Sequence, residues 1–210
     1  MIKKNLKTMI ITSIIILIPM VVGIMMWDML PAEIATHFGE NGEPNGWSSK
    51  PFAVFGIPAI LLITQWCGAF FTGVDPKNKN ISDKMYTLVL WIVPIISLFA
   101  CGSMYVYAID SSINTTTIGT ILIGAMFIVI GNYMPKMKQS YTLGIKLPWT
   151  LESEENWYRT HRLAGYTFMA AGVITIIAGL LQIFWLVFVG MIVATVIPYV
   201  YSYRLYKKGI

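Results

Sequence analysis

His37 and His161 are the two histidines of this chain, and each has charged neighbours within a few positions. His37 stands in DMLPAEIATHFGENGEPNGWSSK, residues 28–50, among Glu33, Glu40 and Glu43. Imidazole with carboxylates is a donor set that suits zinc or manganese. The signature HExxH is absent, so the primary reading of His37 is a hydrogen-bonded loop histidine. A metal-dependent membrane enzyme using His37 and Glu33 stays open as an alternative; no catalytic residue and no cofactor is assigned. His161 lies in GNYMPKMKQSYTLGIKLPWTLESEENWYRTHRLAG, residues 131–165. There Glu155, Arg159 and Arg162 recur at i, i+4 and i+7, a single helical face that permits local ion pairing, with Trp157 and His161 on a neighbouring stripe. Such a surface suits a membrane anchor or a docking site for a protein partner, and the residue chemistry leaves both open.

The elements that carry these residues follow from composition. With 56% hydrophobic and 12% charged residues and a mean hydropathy of +0.67, the chain has too little polar surface to coat a soluble globule, and lipid must be its solvent. The net charge of +5 does not point to nucleic acid, because the basic residues sit in short clusters between apolar runs. Hydrocarbon about 30 Å thick takes roughly 20 helical residues. Residues 9–27, 51–72, 85–108 and 118–134 qualify, and 163–203, broken near Gln182, predicts a hairpin of two more spans. The fold class is therefore all-α: a polytopic membrane protein, a bundle of six transmembrane helices.

Lys and Arg in short loops are retained on the cytoplasmic side. Lys3, Lys4, Lys7, Lys77, Lys79, Lys84, Lys136, Lys138, Lys146, Arg159, Arg162, Arg204, Lys207 and Lys208 fall on one side, whereas Lys50 faces Asp28, Glu33, Glu40, Glu43 and Asp110 on the other. Both termini are expected in the cytoplasm. The first apolar run is too long for a signal peptide and lacks a small-x-small cleavage site. Trp27, Trp47, Tyr105 and Tyr107 suit an outer aromatic belt, and Tyr133, Tyr199, Tyr201 and Tyr203 an inner one. Cys67 and Cys101 lie at different depths, which argues against a disulfide. No charge sits at mid-depth, which disfavours ion-coupled transport; a small-molecule transporter remains an alternative without a motif. Gln65, Asn132 and Gln182 read as interhelical hydrogen-bonding amides.

Locally, Pro31 can open a short helix with Ile34 and Phe38 on one face and Gly39 at its end. Thr150 reads as an N-cap followed by Glu152, Glu154 and Glu155, starting an interfacial helix that bends into span five near Gly165. The organisation is a hairpin (1–72) with a structured outer loop (28–50), a central hairpin (73–117), and a C-terminal region (118–210) with a cytoplasmic loop and interfacial helix (135–163), treated as one folding unit.

Two segments resemble the SdpI family, named for an immunity protein against a sporulation-delaying toxin. LPAEIATHFGENGEPNGWSSKP, Leu30 to Pro51, is similar to the N-terminal domain of unknown function found in many members. Gly131, Asn132 and Pro135, then GIKLPWTL from Gly144 and W-x-x-THRLAG from Trp157, resemble the C-terminal signature. Lys146 stands where many members have Arg, losing a bidentate fork but keeping the charge, and Ser140 stands where Asn is common. The resemblance implies a non-enzymatic, multi-pass protein of the bacterial cell membrane. Its implied partners are the lipid bilayer, an antimicrobial peptide toxin and a cytoplasmic transcriptional repressor, with no direct nucleic-acid contact. Toxin sensing would fall to the outer loop through Glu33, His37, Glu40, Glu43 and Trp47. Repressor docking would fall to Gly144, Lys146, Pro148, Trp149, Thr150, Trp157, Arg159, His161 and Arg162.

Overall fold

Hydrocarbon offers no partner to a backbone N–H or C=O, so an apolar run that crosses it closes its own hydrogen bonds as helix. A computed structural model describes residues 1–39, 42–183 and 185–210. Its α-helices are α1 (Leu6–Met25), α2 (Ile57–Gly73), α3 (Asp83–Ile109), α4 (Thr115–Tyr133), the short α5 (Pro148–Glu152), α6 (Glu154–Leu181) and α7 (Trp185–Lys207). All but α5 belong to the six segments long and apolar enough to cross a membrane. The expected break near Gln182 is present: this residue ends α6 in the left-handed conformation, with φ 56°. The chain divides into two compact units, one of residues 1–73 with 86–116, the other of residues 74–85 with 117–210.

In the first unit, the Gln65 amide donates to Thr12 Oγ1 and to the Leu90 carbonyl, both at 2.8 Å, so both of its N–H donors are satisfied between helices. Cys67 and Cys101 are both free thiols. The connection from α1 to α2 corrects the short helix expected from Pro31 to Gly39. It is an antiparallel hairpin of β1 (Glu33–Phe38) and β2 (Pro44–Ser49), with Ile34 opposite Ser48 and His37 opposite Gly46. A spacing of four puts Ile34 and Phe38 on one face of a helix and also of a strand, so it does not discriminate between them. The β-branched Ile34 and Thr36, and the turn chemistry of Gly42, Pro44 and Asn45, favour the strands. Ile34 is fully buried with Leu30, Ala53, Val54, Cys101, Met104 and Tyr105, which fixes the hairpin to its own unit. Tyr105 is thus a core residue rather than part of an aromatic belt.

In the second unit, α4 and α6 meet through glycines. A Cβ on Gly172 would lie 2.5 Å from the Gly124 carbonyl oxygen, and one on Gly131 would lie 2.8 Å from the Gly165 carbonyl oxygen. Gly124 and Gly131, like Gly165, Gly172 and Gly179, are separated by two helical turns and so share a stripe. Lipid tails are as apolar as side chains, and close backbone approach through small residues supplies the packing energy instead. Helix α6 is continuous through Gly165, and the glycine makes room for Pro135 and the Gly131 carbonyl.

Gly172→Ala should cost about 1–3 kcal/mol through overpacking and lower the thermal midpoint in detergent. Gly68→Ala, where the added carbon meets nothing within 4 Å, should be neutral or stabilising; equal effects at the two sites would contradict the packing account.

Candidate functional site

Asp75 is absent from the sequence-derived candidates, yet it organises the polar end of the second unit. Its residue is 2% exposed and its carboxylate accepts four hydrogen bonds. Oδ1 takes the Lys77 N–H at 2.7 Å; Oδ2 takes the Tyr141 N–H at 2.9 Å, the Thr142 N–H at 2.8 Å and the Thr142 hydroxyl at 2.7 Å. Burial pushes the carboxyl pKa up, but donation from the Thr142 hydroxyl and from the backbone of Lys77, Thr142 and Tyr141 outweighs it, and the net shift is downward. The stabilisation is complete above the unfolded value and is lost as pH falls through the lowered folded one. Gln139 extends the clamp. Its amide nitrogen donates to the Thr150 and Leu151 carbonyls at 2.8 and 2.7 Å, its side-chain oxygen accepts from Lys77 Nζ, and its carbonyl accepts from Asn80 at 2.8 Å.

The candidates on the following segment are drawn together by α5 and the first turns of α6. The Ile145 N–H donates to His161 Nε2 at 2.9 Å, so that nitrogen carries no proton; Nδ1 then donates to the Trp157 carbonyl at 2.8 Å. His161 is therefore a neutral imidazole of fixed tautomer. It stacks on Trp157 with centroids 4.0 Å apart, and Trp157 Nε1 donates to the Met137 carbonyl at 2.8 Å. Gly144 passes this pair with φ 101°, and a Cβ there would lie 2.4 Å from His161 Nε2 and 2.9 Å from Trp157 Cζ2.

Thr150 is not the N-cap of the long helix. It sits in α5 after Pro148, its Oγ1 accepting the Leu147 N–H at 2.9 Å and donating to the Ile145 carbonyl at 2.8 Å. Ser153, in extended conformation, separates the two helices and caps α6 by accepting the Asn156 N–H at 3.1 Å. The competition is local: both residues precede glutamates, but only Ser153 leaves the helical region of backbone space. Trp149 is committed to α7, donating to Ser202 Oγ at 3.0 Å and packing against Tyr199, Tyr203 and Tyr206. Asn156 donates to the Ser202 and Ile210 carbonyls at 3.0 Å each.

Lys146, Arg159 and Arg162 remain exposed. Lys146 Nζ reaches the Thr142 carbonyl at 3.2 Å and Arg159 pairs with Glu155. Beside the scaffold is an open groove of about 550 Å³ bordered by Asn80, Lys136, Lys138, Glu154, Trp157 and Tyr158. Of the hairpin candidates, Glu33, His37, Glu43 and Trp47 are exposed, while Glu40 lies outside the described residues. His37 Nδ1 donates to the Asn45 side-chain oxygen. Among the described residues no group of three or more His, Cys, Asp or Glu is placed to hold a metal. The signal that could have found Asp75 is the dipeptide Asp75-Pro76, a turn initiator directly after an apolar run.

Fold and site together define a six-span membrane protein with a β-hairpin between its first two spans and a hydrogen-bonded polar scaffold ahead of its fifth. Residues 136–202 match the SdpI/YfhL protein family and residues 14–62 match a domain of unknown function, DUF1648. The chain is 26% identical over 214 residues to the immunity protein SdpI of Bacillus subtilis (strain 168), covering 98% of this chain and 97% of that protein. The likeness to the SdpI/YfhL family thus lies in the C-terminal part of the chain, and the likeness to DUF1648 on its N-terminal side. No solved structure matches.

Asp75→Asn replaces one acceptor oxygen by a donor facing donors and should cost roughly 1.5–3 kcal/mol, seen as a lower thermal midpoint. The acid-dependent loss of stability assigned to this group should disappear with it. Gly144→Ala combines a clash with a left-handed backbone and should cost on the order of 1–3 kcal/mol.

Proposed function

We propose that this protein is a non-enzymatic membrane immunity and signalling protein that protects against an antimicrobial peptide toxin and, when engaged, retains a cytoplasmic transcriptional repressor at the membrane. The observation that carries the reading is the similarity to an immunity protein along 98% of the chain. The positive-inside distribution supports an orientation with both termini and the 74–82 and 134–153 loops in the cytoplasm. The β-hairpin then faces outward with Glu33, His37, Glu43 and the 57% exposed Trp47 available to a cationic, partly apolar peptide. Glu40 joins that set by sequence.

Repressor docking is assigned to the segment from Gly144 to Arg162. Gly144, Pro148, Trp149, Thr150, Trp157 and His161 act there by holding the surface in shape, and the cationic groove beside Trp157, with Lys136 and Lys138 on its border, offers the contact. An acidic or aromatic segment of the repressor is the complementary chemistry. Toxin binding alters docking only insofar as the toxin favours one of two arrangements of the protein.

The test is survival of a strain sensitive to the sporulation-delaying toxin, with a reporter for the repressor. Wild type should protect and recruit; Trp47→Ala with Glu33→Gln should lose protection; Lys136→Glu with Lys138→Glu should protect without recruiting. A properly inserted wild-type protein that leaves sensitivity unchanged refutes the immunity reading for that toxin. Recruitment that survives the paired lysine reversal refutes the groove.

A further inference from the structure

Arg159 and Arg162 do not border the groove beside Lys136. They lie in a second groove, of about 560 Å³, formed by Tyr158, Arg159, Arg162, Leu163 and Tyr166 of α6 with Tyr201 of α7. Its α6 residues recur at three- and four-residue spacing, a single stripe of the helix. The length of α6 fixes its depth. Its 28 residues measure ~42 Å at the helical rise, against ~30 Å of hydrocarbon. No charge occurs from Leu163 to Leu181, so the surplus is the charged start of the helix, and Arg162 is the last charged side chain before the apolar run. The groove therefore spans the level where headgroups meet acyl chains.

The charges within the groove are specific. Glu155 is already engaged by Arg159, while Arg162 has no hydrogen-bond or ion-pair partner among the described residues. Two guanidinium groups and one carboxylate leave a net single positive charge, which matches a phosphodiester monoanion. A guanidinium binds phosphate through two parallel N–H donors, tyrosine hydroxyls beside it can donate, and Leu163 with the Tyr166 ring borders the apolar side. With the carboxylate occupied, no spare anion is present for a headgroup ammonium.

The geometry points to a binding site for one anionic phospholipid without an ammonium group, its phosphate on Arg162 and Arg159 and its glycerol end against Leu163 and Tyr166. Basic pockets between transmembrane helices are a recurrent form of lipid recognition. This site rests only on the chain spanning a membrane and stands or falls independently of immunity.

The full chain would be released from nanodiscs of equal phosphatidylglycerol and phosphatidylcholine, and retained lipid counted by native mass spectrometry. Wild type should retain phosphatidylglycerol in preference to phosphatidylcholine, also in the presence of excess inorganic phosphate. Arg162→Gln should lose about tenfold in retention, the size expected for a charge-assisted contact, whereas Lys79→Gln, the same charge change at an exposed loop lysine, should behave as wild type. Equal retention of the two lipids by wild type overturns the site whether or not the variants fold. Equal loss in both variants reduces it to general surface charge and overturns it too, and displacement by inorganic phosphate alone makes it an anion site rather than a lipid site.

Discussion

A bilayer interior withholds hydrogen bonds, and that constraint decides where every polar group of this protein can stand. Inside the spans, polar side chains are admitted where a partner is waiting: Gln65 between Thr12 and Leu90, and Ser97 against the Ile16 carbonyl at 2.9 Å. Carboxylates and ammonium groups are carried by the connections and the helix ends, where backbone N–H groups or water can meet them. Asp75 is the extreme case, a buried carboxylate tolerated because four donors surround it. The same constraint removes the ordinary hydrophobic drive between helices and leaves α4 and α6 to associate through glycines that let their backbones touch.

The polar end of the second unit is consequently built from short, directional contacts. Asp75 and Gln139 tie the 74–82 loop to the segment that follows α4, Trp157 and His161 stack beneath Gly144, and Trp149 fastens α5 to α7. Residue types associated with recognition, tryptophan and histidine above all, are here spent on preorganisation. What they hold in place is a rim of lysines and arginines free of that task. A surface fixed in this way suits binding, since little ordering remains to be opposed when a partner arrives.

Long-range patterns were readable from sequence and short-range competition was not. Apolar runs located all six spans and the break near Gln182, because a 20-residue signal averages over local detail. The hairpin escaped because the Ile34 and Phe38 spacing fits two periodicities, and the helix start moved from Thr150 to Ser153 because cap choice depends on backbone conformation. The packing of Gly165 against Pro135 and the Gly131 carbonyl escaped because a glycine in sequence carries no record of the helix packed against it. Asp75 escaped for a related reason: three of its four donors, on Tyr141 and Thr142, are more than sixty positions away. The segments 28–50 and 131–165 nevertheless stood out correctly as the structured polar regions, since charge, aromatic and turn residues concentrate there.

Everything assigned to sensing and docking depends on which face of the membrane receives the lysines. The direct measurement is labelling by a membrane-impermeant maleimide of a single cysteine introduced as Lys138→Cys, with Cys67 and Cys101 replaced by serine, in intact and in permeabilised cells. Labelling that requires permeabilisation is the predicted result. Labelling of intact cells would put the groove outside, exchange the two faces and contradict the account.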